Sequence, residues 1–120
     1  MVNVREAIYQ ALTAAAGSSA GVYHFYPDKN ATYPAISFYE NGNRRAEQAD
    51  GCEHLTEVTY QVDIWAKSIV TCDGLAASVD EKLTALGFAR EQANDIYDMN
   101  CQHKTMRYRG LIDQDGTVYQ

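Results

Sequence analysis

Positions 56–66 alternate between polar and apolar side chains almost without a break. Val58, Tyr60, Val62 and Ile64 fall on even positions, and Glu57, Thr59, Gln61, Asp63 and Trp65 on odd ones. Successive side chains of a strand point to opposite faces. This period of two therefore predicts a strand with one face on a core and the other mostly toward water. Just downstream, Leu75, Val79, Leu83 and Leu86 recur at helical spacing, with Ala76 able to join them and Asp80, Glu81 and Lys82 outside. Thr71 or Asp73 is the expected cap of that helix. Gly87 followed by Phe88 matches a left-handed C′ residue with its hydrophobic contact.

The rest of the chain fills in around this unit. Asn3 with Glu6 three residues on has the form of a capping box, and Val4, Ile8, Leu12 and Ala15 make one stripe of a first helix that Gly17-Ser18-Ser19 should end. Short strands are predicted over Val22–Tyr26 and Tyr33–Glu40. Pro34, lacking an N–H, should begin the second of these or lie at an edge. Further strands are predicted over Asp95–Cys101 and His103–Asp113, then a short one over Thr117–Gln120 after the Asp115-Gly116 turn. The order implies one α+β domain over residues 1–120: a mainly antiparallel sheet of about four to five strands with two helices packed on one face. The long polar insert at about 41–53 suggests a hairpin arm, because unstructured loops of that length are uncommon and often functional.

Composition narrows the function classes. Ten basic against sixteen acidic residues give a net charge of −6, which argues against a nucleic-acid clamp with its clustered basic face. The longest uncharged apolar-rich run, Ala11–Tyr23, is too short and mixed to span a bilayer, and the N-terminal residues show no signal-peptide pattern, so an intracellular, soluble chain is expected. Cys52, Cys72 and Cys101 are odd in number and widely spaced, which suits free thiols in a reducing compartment. Cys52-x-His54 is the best metal-ligand fragment, but it lacks the tight ligand pairs of structural zinc sites, so no metal and no cofactor are expected. There is no GxSxG, GxGxxG or phosphate-binding loop, and Asp80-Glu81 reads as a solvated helix face. An enzyme is not expected. For a catalytic or ligand-binding reading, His103 with Asp113 or Glu53 is the pair to inspect.

The chemistry that remains is that of contact. Trp65 and Tyr39 are predicted on nominally polar strand faces, and Lys104, Arg107 and Arg109 cluster near the C-terminal strands. Trp, Tyr and Arg are the residues enriched in interface cores. Asp63, Trp65, Arg107 and Arg109 are thus the candidates for subunit contact, although the more ordinary reading of Lys104, Arg107 and Arg109 is pairing with acidic neighbours across strands. Arg44, Arg45, Glu47 and Asp50 are the candidate contacts of the arm.

The succession "TYQVDIWAKS" at Thr59–Ser68, "LTALGF" at Leu83–Phe88 and "HKTMRYRGLID" at His103–Asp113 resembles the tail-completion or tail-terminator proteins of long-tailed bacteriophages and prophages. "VYHFYPDKNATYPAISFYE" at Val22–Glu40 is similar to the N-terminal half of the same family. The resemblance implies a structural virion protein of the tail or neck, made in the host bacterial cytoplasm. It implies a ring, typically hexameric, at the head-proximal end of the tail tube that ends tube polymerisation and joins the head. The implied partners are further copies of the chain, the tail-tube protein and a head-side connector, with DNA passing through the lumen unbound and no membrane involved. Another neck component, a head-closure or adaptor protein, is the alternative; a small ligand-binding or enzymatic domain is the third.

Overall fold

The computed structural model of the protein describes residues 3–46, 55–113 and 118–119. Its elements are α1 (Arg5–Ala16), β1 (Gly21–His24), β2 (Ala35–Arg45), β3 (Leu55–Ala66), α2 (Ile69–Ala85), β4 (Ala89–Ile96), β5 (Gln102–Asp113) and β6 (Val118–Tyr119). The fold is α+β. Five strands lie in the order β1-β2-β3-β5-β4, and β6 pairs with the end of β5. All pairs are antiparallel except β1 with β2, so the sheet is mixed.

The alternation in β3 does what it predicts. Val58, Tyr60, Val62 and Ile64 are fully buried. Their register places Ile36 and Phe38 of β2 on one side and Met106 and Tyr108 of β5 on the other. Both helices cover this face: Ile8, Leu12 and Ala16 of α1 and Cys72, Leu75, Ala76, Val79 and Leu83 of α2 join it in one core. Each large aliphatic side chain buried there contributes about 1.5–3 kcal/mol of transfer free energy. Gly87, at φ 101, closes α2 as expected: its N–H reaches the Thr84 carbonyl at 2.9 Å and that of Phe88 reaches Leu83 at 3.0 Å, a Schellman pair with Phe88 buried.

Four local expectations are corrected. Ser68, rather than Thr71 or Asp73, caps α2: its Oγ accepts from the Thr71 N–H at 3.2 Å. Asn3 Oδ1 accepts from the Arg5 N–H, but Glu6 bonds Gln10 one turn on and closes no capping box. Ala16, not Ala15, completes the buried stripe of α1. The strand expected over Asp95–Cys101 lies instead at Ala89–Ile96, where every residue is exposed. It is an edge strand exposed along its whole length, so burial selects no alternation in it. The polar insert begins as strand, since β2 continues through Arg45 opposite Thr56 with a register shift between Glu40 and Gly42. The rest of the proposed arm, with Glu47 and Asp50, lies outside the described residues.

Candidate functional site on the helix-free sheet face

The odd-numbered side chains of β3 and β5 project to the face opposite the helices. All four candidate contact residues, Asp63, Trp65, Arg107 and Arg109, lie there, because they occupy odd positions on strands paired Asp63 to Thr105 and Thr59 to Arg109. The face divides into two clusters.

Toward the start of β5, Trp65 and His103 are cross-strand partners, and their rings stack with centroids 3.7 Å apart at 14°. The indole Nε1 donates to Ser37 Oγ at 3.0 Å, and His103 Nε2 lies 3.2 Å from Asp63 Oδ1. Ser37 and Asp63 are both buried although no helix lies over them. Burying a carboxylate is costly unless it is paired, and the imidazole supplies that pairing. This carboxylate partner of His103 differs from both candidates named from the sequence. Asp113 lies at the far end of β5, and Glu53 is outside the described residues. The signal was available only through the register, which sets Asp63 diagonally across from His103.

At the root of the arm, Glu57 is shared by two arginines. Arg109 Nε donates to its Oε2 at 2.7 Å, and the Arg44 guanidinium approaches Oε1 at 2.7 Å. The bond from Arg109 holds the Glu57 carboxyl below its ordinary range; Arg44 adds to this, and partial burial opposes it. One contact candidate and one arm candidate are thereby tied through an acidic residue of the same chain, while Arg45 sits exposed on β2 opposite Thr56. Arg107 is different. Its Nε is buried and has no hydrogen-bond partner among the described residues. It lines a groove of about 380 Å³ whose walls include Arg44, Glu57, Glu91 and Arg109.

The acidic outer face of α2 is partly occupied. Asp73 shares Lys104 with Asp95 of β4, and Asp80 accepts from the Tyr108 hydroxyl at 2.7 Å and pairs with Arg90 at 3.2 Å. Among the described residues no three or more His, Cys, Asp or Glu side chains are placed to hold a metal, and no helix is long and apolar enough to cross a membrane. An open sheet face with stacked aromatic rings and a cationic groove is suited to holding another protein surface.

The family profile described as "Tail completion protein gp17" matches residues 6–113. No curated protein matches the chain. The chain belongs to this family and is a structural protein of the phage tail.

Proposed function

We propose that this tail completion protein forms a ring, hexameric by analogy with its family, at the head-proximal end of the tail tube, where it ends tube polymerisation and offers a surface to the head-side connector. The carrying observation is the helix-free face. Trp65, Asp63, Arg107 and Arg109 lie on a sheet surface that neither helix covers, and Arg107 retains a buried donor with no partner among the described residues. Closed cyclic rings join two different patches per subunit. That face is the first, and the acidic outer side of α2 is the second. The β2–β3 hairpin, with Arg44 and Arg45 at its described end, is the contact toward the tube or connector. A net charge of −6 suits a lumen that lets DNA pass, since DNA affinity rests largely on cationic contacts with phosphate.

The test is the solution mass of the purified protein, alone and with the tail-tube protein. A ring, alone or formed as tubes stop at fixed length, supports the terminator role. A protein indifferent to tube protein that instead binds the portal or an adaptor is another neck component.

A further inference from the structure

We infer that the groove at Arg107 is the receptor for one carboxylate of a second copy of this chain, and that this carboxylate is Glu81 on α2. The inference rests on the ring reading above and names the contact that would close the ring.

Three observations carry it. The first is the orphaned donor. Buried N–H groups in folded proteins are almost always paired, and leaving one unpaired costs about 1–3 kcal/mol. Arg107 Nε is buried without a partner among the described residues, so an acceptor that reaches this guanidinium on assembly would remove that cost. The second is local charge. Among the described residues the groove is lined by three guanidiniums, of Arg44, Arg107 and Arg109, and two carboxylates, of Glu57 and Glu91. Glu57 is engaged by Arg44 and Arg109, and with Glu91 as the second carboxylate the groove keeps one positive charge in excess. A guanidinium binds a carboxylate through two parallel N–H bonds, a geometry that fixes orientation as well as charge.

The third observation selects the occupant. A chain of net charge −6 repels its own copies, so a stable contact between copies needs a local cationic site meeting a local carboxylate. On α2, Asp73 is held by Lys104, and Asp80 by Tyr108 and Arg90. Glu81 is exposed and has no partner among the described residues. It projects from the helix layer, whereas Arg107 lies on the opposite face of the sheet. One subunit's own Glu81 therefore cannot serve its own groove; the pairing is between different patches, as a closed ring requires.

The experiment compares wild type, Arg107→Met, Arg107→Glu, Glu81→Arg and the double charge swap, measuring assembly by sedimentation and thermal midpoint for the unassembled subunit. Arg107→Met removes the orphaned donor while keeping a similar side-chain length. It is expected to leave the subunit's midpoint unchanged or raise it, and to weaken assembly at least tenfold. Each charge reversal alone should abolish assembly, and the double swap should restore it. A lowered midpoint for Arg107→Met would show that the donor is paired within the subunit and overturn the inference. So would assembly of Arg107→Met within twofold of wild type, or a folded double swap that does not assemble. In those cases a wild-type ring leaves the terminator role standing. A wild type that forms no ring, alone or with tube protein, overturns both.

Discussion

Removing one hydroxyl tests whether α2 is clamped to the sheet by a polar contact as well as by its apolar stripe. Tyr108 is fully buried on β5, and its hydroxyl donates to Asp80 Oδ1 at 2.7 Å across the helix–sheet interface. Burial raises the phenol above its ordinary titration range, and the hydrogen bond to Asp80 and its negative charge add to that. Hydrogen bonds to charged groups contribute about 1.5–3 kcal/mol to stability. Tyr108→Phe should fall near the lower limit. The Asp80 side chain keeps one-third of its surface exposed and retains Arg90 at 3.2 Å, so water and the guanidinium satisfy what the hydroxyl leaves. Asp80→Ala should cost more, because it leaves the buried hydroxyl with the weak Met106 Sδ acceptor at 3.8 Å and removes the partner of Arg90; about 2–3 kcal/mol is expected. In a double-mutant cycle the two sites should couple by about 1.5 kcal/mol. For 120 residues at about 2.1 cal/mol/K each, the unfolding entropy is about 0.25 kcal/mol/K, so Tyr108→Phe should lower Tm by about 6 °C. Urea unfolding of the unassembled subunit at constant m-value measures all three variants. A loss below about 0.5 kcal/mol for Tyr108→Phe, with additive single-site effects, would refute this clamp and leave α2 held chiefly by its buried stripe of Cys72, Leu75, Ala76, Val79 and Leu83.

Three further outcomes are expected. Because Glu57 sits below its ordinary value of 4.5 in the folded protein, its ion pairs stabilise the fold above that pH, and the contribution is lost as pH falls through the lowered folded value. Urea midpoints from pH 7 to 3 should therefore fall more steeply for wild type than for Glu57→Gln, and parallel curves would count against the pairing. Gly110→Ala should destabilise by about 1–3 kcal/mol, since a Cβ there would stand 2.8 Å from the ring of buried Phe88; an unchanged urea midpoint would show that the ring can yield. The single tryptophan, Trp65, lies on the proposed contact face, so its emission should shift to shorter wavelength as subunits assemble; an unshifted spectrum in the ring would place the contact elsewhere.

The elements legible in the sequence are those where burial is one-sided. Strand β3 announces itself because its even side chains are in the core and its odd ones are not, and α2 because its stripe joins that core rather than facing water. Strand β4 carries no such mark: "AREQANDI" is exposed on every residue, and its strand conformation comes from backbone pairing with β5, which leaves no trace in hydropathy. The parallel placement of β1 is likewise set by tertiary pairing with β2 and not by the four residues of β1 themselves. The candidate contact residues were legible as to face, since parity fixes which side of a strand a side chain takes. Their partners were not. Glu57 meets Arg109, and Asp63 meets His103, only because Thr59 registers with Arg109 and Trp65 with His103.

The same parity separates stability from assembly. Even-numbered side chains of β3 and β5 meet the two helices, so changes there should act on the folding equilibrium of one subunit. Odd-numbered ones face outward and are held by short polar links, Trp65 to Ser37, Asp63 to His103 and Glu57 to two arginines. Such links keep a polar face flat and preorganised without an apolar cover, which lowers the ordering cost when a second surface arrives. Arg107 breaks the pattern on that face: beside the paired Arg109, its buried Nε has no acceptor among the described residues. A group unsatisfied in the subunit but placed among satisfied ones is better understood as a demand of the assembled state than as a flaw of the free one.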